Sequence, residues 1–295
     1  MPQTQGVSLS YRYLRVAIVS MVLVLFIALA LQIAADRAAA GPGQEWWFAS
    51  ISTYFYTPVQ NVFVGVLFVA GICMIAVKGR DGGEDVLLNF AGMTAILSAM
   101  VPTPLTPAGC AGEPYCLDVP ERVANNVLAL LLAGIPVLLL AAWPRRGDLV
   151  RGAGWDLWLT WLAWGAVAAW MSLWPAAFLG WAHYVAALAF FACLIAVAWV
   201  NGRDQQVTGG PGERTRGLRP QAYRRAYRAI AITMTAVIVV GLAALGAAEF
   251  LGWRAPAQTV FVVEALLLLI FAGFWILQTI EFWEIGLPAK ARNGE

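Results

Sequence analysis

The only histidine of this chain, two glutamates and three asparagines lie within, or at the ends of, long apolar stretches. A charged group at the centre of a membrane span costs roughly 3 kcal/mol on insertion scales, and it usually faces a cavity or a partner. Such side chains are therefore the first candidates for binding or chemistry. They are His183, Glu264, Glu249, Asn125, Asn126 and Asn61.

Glu264 and His183 are the strongest of these candidates, because each lies about one helical turn inside its apolar stretch. Glu264 has the chemistry of a ligand contact or a proton acceptor, and the alternative is a structural hydrogen bond to a neighbouring helix. His183 is either a polar contact in a pocket or a side chain that reaches the lipid headgroups.

Two enzymatic arrangements use the same residues. A hydroxyl nucleophile needs a base and an orienting acid, which Ser50 or Ser52 with His183 and Glu264 would supply in an intramembrane hydrolase. No local motif supports this arrangement. A zinc site would combine His183 with Glu249, Glu264 or Asp118, but one histidine and no spaced pair of ligands argue against it. We predict no metal and no cofactor.

The last apolar stretch places several of its larger side chains on one helical face. Glu264, Phe271, Trp275 and Gln278 follow one another at intervals of seven, four and three residues. This stripe predicts the lining of a bundle interior. Tyr54 and Tyr56, in the connection after the first stretch, are predicted to contribute to the same ligand site.

The elements that must position these residues are membrane helices. The chain has 295 residues, of which 61% are hydrophobic and 12% charged. This composition excludes an ordinary soluble domain. A span needs about 20 mostly apolar residues. The sequence predicts an all-α transmembrane bundle of eight spans. Seven are possible, because the second and third spans are short and the fifth and sixth are joined by very few residues. The spans are Tyr13–Ala35, Asn61–Val77, Asp85–Val101, Val123–Trp143, Asp156–Trp174, Phe178–Val200, Ala229–Phe250 and Thr259–Trp283.

The distribution of basic residues predicts the orientation. With eight spans and a cytoplasmic N-terminus, 16 of the 19 Lys and Arg residues fall in cytoplasmic segments, where such residues are retained. Both termini are then cytoplasmic, and the six polar candidates all fall in the outer third of a bacterial inner membrane. Only Arg37, Arg122 and Arg254 lie outside.

Three connections have distinct compositions within what we expect to be a single domain. Residues 36–60 are aromatic and predict an interfacial helix, a cap over the bundle or a simple aromatic belt. Residues 102–122 contain Cys110 and Cys116, which predict a disulfide in an oxidising compartment, with two free thiols or half of a metal site as the alternatives. Residues 201–228 form a basic cytoplasmic loop whose second half continues into the next helix along the lipid surface.

Several functional classes find no support. There is no phosphate-binding loop and no dinucleotide-binding motif, so nucleotide-driven transport by this chain is not expected. Eight spans without a visible internal repeat argue against an inverted-repeat transporter. We predict no nucleic-acid partner. The expected partners are membrane lipids and a small-molecule or lipid ligand, with a homo-oligomer left open.

Scattered segments resemble a family of uncharacterised bacterial multi-pass membrane proteins. The resemblance includes Ser50–Thr57, Asn61–Gly65, Asn89–Gly92 and Val101–Thr103, with His183 before Phe190-Phe191 and Glu264 before Phe271 and Trp275. That family implies the fold but no established activity. A fainter likeness is to the alkaline ceramidases and adiponectin receptors, whose zinc site uses several histidines. This chain has one histidine, so the likeness does not carry the zinc chemistry over.

The sequence favours a non-enzymatic membrane protein with an outward-facing pocket for a lipid, a small ligand or a transported solute. In this hypothesis Glu264 and His183 make the polar contacts, and Phe271 and Trp275 form the apolar wall. The alternatives are a hydrolase of lipid-like substrates with His183 as general base, and a structural or assembly subunit whose polar residues specify helix packing.

Overall fold

A computed structural model of the chain describes residues 2–43, 46–77, 79, 82–105, 119–143, 155–203, 220–251 and 256–283. These residues form helices and the loops between them, and none of them lies in a strand. A short 3₁₀ helix, Ile51–Tyr56, accompanies the α-helices. These are α1 Pro2–Ala39, α2 Gln60–Ala76, α3 Gly82–Met100, α4 Val119–Ala142, α5 Trp155–Leu173, α6 Pro175–Arg203, α7 Pro220–Leu251 and α8 Thr259–Glu281.

The chain is a membrane protein with several transmembrane helices. Among the described residues, α1, α4, α6, α7 and α8 are long and apolar enough to cross a bilayer. α2 is apolar but shorter. Each predicted span overlaps one of the α-helices. The number eight and the direction of the termini remain predictions.

Six helices form a closed ring in the order α1, α2, α3, α6, α7, α8, in which each helix packs on the next and α8 packs on α1. Buried side chains from all six fill the interior, among them Met74, Leu88, Val197 and Trp275. α4 and α5 pair outside this ring, where they contact α3 and α6. The ring has two ends, which we call the Ser52 end and the Arg15 end after buried residues near each.

Glycines permit a close crossing of α2 and α3 in the ring. A Cβ atom placed on Gly71 of α2 would lie 2.7 Å from the carbonyl oxygen of Gly92 on α3, and one on Gly92 would lie 2.5 Å from that of Gly71. Both separations are far below van der Waals contact. The two backbones therefore meet directly at this crossing, as small residues allow between membrane helices.

The 3₁₀ helix closes the Ser52 end of the ring between α1, α2 and α8. Its first turn is capped by Ser50, whose Oγ accepts the Ser52 backbone N–H at 3.0 Å. The Phe261 N–H at the start of α8 donates to the Ala49 carbonyl at 2.7 Å. Tyr54 packs edge-on against Phe261. Residues 49–56 are thus fixed to the first turn of α8.

Two predictions about the connections have different outcomes. The continuation of residues 221–228 into the seventh helix is confirmed, because α7 begins at Pro220. The predicted course of residues 221–228 along the lipid surface is not confirmed. Tyr223 and Tyr227 are fully buried, so one face of this segment packs into the bundle. Cys110 and Cys116 lie outside the described residues, as do residues 204–219.

Candidate functional site

The carboxylate of Glu264 is held by the 3₁₀ helix. Its Oε2 accepts the Ser50 hydroxyl at 2.8 Å and the Ile51 backbone N–H at 2.6 Å. Its Oε1 lies 3.1 Å from the Ser52 Oγ. Because both carboxylate oxygens have partners on one short segment, Glu264 couples α8 to the turn that closes the ring.

The imidazole of His183 is buried, with 3% of the residue exposed, and both ring nitrogens have partners. Nδ1 lies 2.7 Å from the Val101 carbonyl oxygen, and Nε2 lies 2.9 Å from the Ser52 Oγ. α3 ends at Met100, and the last carbonyls of a helix have no donor within it. His183 therefore satisfies a carbonyl that the end of α3 leaves open.

Ser52 lies between the two ionisable groups. Its Oγ contacts Oε1 of Glu264 on one side and Nε2 of His183 on the other. The result is one hydrogen-bonded chain, Glu264–Ser52–His183, that runs from α8 through the 3₁₀ helix to α6. Ser52 is itself buried, so the chain is shielded from bulk water.

A second set of hydrogen bonds ties the same segment to the residues after α3. The Tyr56 hydroxyl donates to the Thr103 carbonyl at 2.8 Å, and the Thr103 hydroxyl donates to the Tyr184 phenol oxygen at 3.1 Å. Burial raises the pKa of Tyr56 to about 12, with a smaller contribution from Tyr184. The Tyr56 phenol therefore stays protonated, and remains a donor, throughout the neutral pH range.

A narrow cavity of about 70 Å³ lies in the interior of the ring, beside the hydrogen-bonded chain Glu264–Ser52–His183. Glu264, Ser52 and His183 line one part of it, and the rest of the lining from α1, α2, α3, α6 and α8 is almost entirely apolar. Pockets for drug-sized ligands measure roughly 300–1,000 Å³. The cavity therefore suits one slim apolar group beside a polar wall.

Ser98 of α3 is the remaining polar residue of the cavity wall. The residue is 5% exposed, and among the described residues its Oγ has no hydrogen-bond partner. A buried hydroxyl without a partner costs about 1–3 kcal/mol. A polar atom in the cavity could remove this cost. Sequence reasoning missed Ser98, because a single serine within an apolar helix usually bonds to its own backbone.

The structure brings together part of the predicted ligand site. Glu264 and His183 meet through Ser52, and Phe271 of the predicted stripe lines the cavity. Tyr54 and Tyr56 are buried in the 3₁₀ helix next to the chain. These placements make a common site geometrically possible, while binding itself remains a prediction.

Four of the predicted residues do not reach this site. Asn61, Asn125, Asn126 and Glu249 are all exposed on the surface of the protein. On α4 the buried face consists of Val123, Val127 and Leu131, and both asparagines point away from it. Asn61 is two residues from the buried Phe63, which puts it on the opposite side of α2, and Glu249 is near the exposed end of α7. Similar depth in the membrane did not imply a shared helical face.

Trp275 and Gln278 share the predicted face but lie at a different depth. A helix rises about 1.5 Å per residue, so Gln278 is about 21 Å from Glu264 along α8. Gln278 instead belongs to a polar cluster at the Arg15 end, where its Nε2 lies 3.5 Å from the Glu84 Oε1. Trp275 is fully buried between this cluster and Phe271.

The cluster at the Arg15 end is not predicted from the sequence. Asn201 donates to Glu84 at 2.7 Å, and the Tyr227 hydroxyl donates to Glu281 at 2.6 Å. The Arg15 guanidinium interacts electrostatically with both glutamates. All five residues are almost completely buried. The sequence places Glu281 near a membrane boundary, within reach of water. The signal that could have corrected this is Arg15, an arginine inside the first apolar stretch.

The geometry also bears on the two enzymatic arrangements. In the described part of the chain no three His, Cys, Asp or Glu side chains meet in a way that could hold a metal ion. A hydroxyl, an imidazole and a carboxylate do meet, but the order differs from that of a hydrolase triad. Here the carboxylate contacts the hydroxyl, and a backbone carbonyl orients the imidazole.

Comparisons with known proteins add no relative to this description. No protein-family model, curated protein or solved structure matches the chain. The function must therefore be inferred from the geometry of the cavity and of the hydrogen-bonded chain beside it.

Proposed function

We propose that this polytopic protein lies in a bacterial inner membrane and binds a slim amphipathic ligand in the cavity at its Ser52 end. The ligand is a single-chain lipid or a small molecule of similar shape. A short segment of its apolar part enters the cavity, and its polar group contacts Ser98, His183 and the Glu264–Ser52 pair. The 3₁₀ helix caps the site.

The observation that carries this proposal is the asymmetry of the cavity wall. Polar atoms occur on one part of it, and one of them, the Ser98 hydroxyl, has no partner among the described residues. The remaining wall offers apolar surface, which a hydrocarbon chain covers favourably. A volume of about 70 Å³ is smaller than the cavity of roughly 150 Å³ that holds one benzene, so only a short apolar segment of a ligand fits inside.

The proposed orientation has eight spans, both termini in the cytoplasm and the cavity near the outer surface. It is supported by the 16 of 19 basic residues that then lie inside. α2 and α3 support the count, because they are part of the same closed ring as the long spans α1, α6, α7 and α8. As members of this ring, α2 and α3 cross the same membrane as the longer helices beside them.

The orientation is tested by single cysteines in intact cells, after replacement of the four native cysteines by serine. A cysteine at the exposed Asn61 position should react with a membrane-impermeant maleimide. A cysteine at the exposed Trp283 position should react only after permeabilisation. The opposite pattern, or equal labelling at both positions, would refute the proposed topology.

Ligand binding is tested by thermal unfolding of the purified protein with mono-oleoylglycerol as the probe. A ligand at a hundredfold excess over its Kd stabilises the folded state by about 2.7 kcal/mol, so the unfolding temperature should rise. Ala187→Trp should abolish the rise because Ala187 lines the cavity, whereas Ala192→Trp, on the exposed face of α6, should not. Equal responses of the two tryptophan variants would contradict binding in this cavity.

Hydrolysis of a lipid-like ester is the second candidate function. The observation that favours it is the Ser52 Oγ at 2.9 Å from His183 Nε2, with the other ring nitrogen held by the Val101 carbonyl. An imidazole oriented in this way can act as a general base towards the hydroxyl. A fluorophosphonate probe should then label wild-type protein and Ser50→Ala but not Ser52→Ala or His183→Gln. Absence of Ser52-dependent labelling would leave ligand binding as the function.

A further inference from the structure

We propose that Glu264, Ser52 and His183 form a proton relay, in which one proton passes between the carboxyl and the imidazole through the Ser52 hydroxyl. This activity goes beyond ligand binding and does not require it. It depends on a count of the hydrogens that the three residues can share, and on distances of 3.1 Å and 2.9 Å to the Ser52 Oγ.

The contacts that Glu264 and His183 make away from Ser52 determine which atoms can carry the mobile proton. The Val101 carbonyl can only accept, so Nδ1 of His183 at 2.7 Å carries a hydrogen in every state. Oε2 of Glu264 already accepts from Ser50 and Ile51. A proton on Glu264 therefore belongs on Oε1, and a second proton on His183 belongs on Nε2. Both of these atoms face Ser52.

The Ser52 hydroxyl has one hydrogen, and this allows only one mobile proton among the three relay residues. If neither neighbour carries it, Oε1 and Nε2 are both acceptors, and Ser52 can satisfy only one of them. If both neighbours are protonated, the Ser52 hydrogen itself has no acceptor in the chain. With one proton every contact is a hydrogen bond. A buried network favours the arrangement in which all of its members are satisfied.

Two arrangements contain that one proton. In the first, Glu264 is neutral and donates from Oε1 to Ser52, and Ser52 donates to Nε2 of a neutral His183. In the second, an imidazolium donates from Nε2 to Ser52, and Ser52 donates to a Glu264 carboxylate. The proton on Oε1 moves to the Ser52 oxygen while the Ser52 proton moves to Nε2. Ser52 remains a neutral hydroxyl, and one unit of positive charge has moved from α8 to α6.

The surroundings contain few groups that could compete for the proton. His183 and Glu264 are the only side chains with an acidic or basic group among the cavity-lining residues. Three phenols also lie close to these residues. Tyr54 and Tyr56 lie on the 3₁₀ helix, and the Tyr184 ring lies 6.0 Å from the imidazole on α6. α1, α2 and α3 contribute apolar side chains and the Ser98 hydroxyl to this wall. The location of the proton is thus governed by the three relay residues and by any ligand in the cavity.

The relay is tested on ligand-free protein in liposomes with isotope-labelled histidine. Since the chain has one histidine, every imidazole signal in a solid-state NMR spectrum belongs to His183, and carbon–nitrogen correlations distinguish its Nδ1 from its Nε2. The protonated carboxyl of Glu264 is followed by infrared spectroscopy as the C=O band that Glu264→Gln removes. Coupled groups titrate as a pair. We expect the Nε2 resonance to shift at the same pH midpoint at which the carboxyl band is lost, with Nδ1 protonated throughout.

Variants of the two serines separate a relay from simple proximity. Ser52→Ala should remove the common midpoint, and Ser52→Thr, which keeps a hydroxyl, should restore it. Ser50→Ala is the matched control, because the Ser50 hydroxyl contacts Oε2 of Glu264 and neither Oε1 nor Nε2, and it should keep the common midpoint. Separate midpoints in wild type, no change in either signal while the protein stays folded, or a common midpoint in folded Ser52→Ala would each overturn the relay. None of these results depends on the response to mono-oleoylglycerol, so a failure of the relay can be distinguished from a failure of ligand binding.

Discussion

Replacing Glu264 with alanine should destabilise the attachment of the 3₁₀ helix to α8. The carboxylate is the shared acceptor for the Ser50 hydroxyl, the Ile51 N–H and the Ser52 hydroxyl. Ser52 can turn its hydroxyl towards His183 when the carboxylate is removed. The Ile51 N–H is fixed by the backbone and has no such choice, and Ser50 loses its acceptor as well.

The expected magnitude follows from these lost partners. Leaving a buried donor without an acceptor costs about 1–3 kcal/mol, so two donors give a loss of about 2–6 kcal/mol in the free energy of unfolding. Glutamine at position 264 keeps an oxygen for Ser50 and Ile51 and can donate its amide N–H to Ser52. Glu264→Gln should therefore cost only about 1 kcal/mol, the ordinary net value of one altered hydrogen bond.

The measurement is the unfolding free energy in mixed micelles, obtained by titration with a denaturing detergent and followed by circular dichroism. Glu249→Ala is the control, since this glutamate is exposed on α7. Exposed substitutions usually change stability by less than about 0.5 kcal/mol. The reasoning would be refuted if Glu264→Ala behaved like Glu249→Ala, or if glutamine were as damaging as alanine at position 264.

Two further predictions concern the ring itself and use the same unfolding measurement. Gly71→Ala should cost about 1–3 kcal/mol because its Cβ meets the backbone of Gly92. Gly65→Ala on the same helix, with nothing within 4 Å, should be neutral or stabilising, and equal effects would contradict the close crossing. Tyr227→Phe removes the donor to Glu281 and should cost about 1.5–3 kcal/mol, and an unchanged stability would mean that this bond is not formed in the membrane.

The sequence predicted the helices, and it placed His183 and Glu264 in one region of the bundle, because both predictions depend on local features with a large energetic effect. A run of apolar residues is read directly from composition, and a polar residue within it is costly enough to demand a partner. The stripe on α8 was also a real helical face. Periodicity gives the face of a helix, however, and not the depth at which a neighbour meets it. Trp275 and Gln278 therefore lie on the predicted side but outside the cavity.

What could not be predicted depends on how the helices are arranged around one another. Asn125 and Asn126 were grouped with the site by depth, yet α4 lies outside the ring and turns them away from it. Ser52 links the ionisable groups because a 3₁₀ helix folds back over the ring, which no short-range pattern specifies. Glu84 and Asn201 meet across 117 residues of sequence separation, and only the closed ring brings them together.

The most direct test of the account is a cryo-EM map of the protein in lipid nanodiscs. The account predicts that Ser52 bridges Glu264 and His183, and that density for a short ligand segment fills the adjacent cavity with a polar end near Ser98. A map in which His183 and Glu264 are separated, or in which side chains close the cavity in a well-ordered Ser52 end, would contradict it.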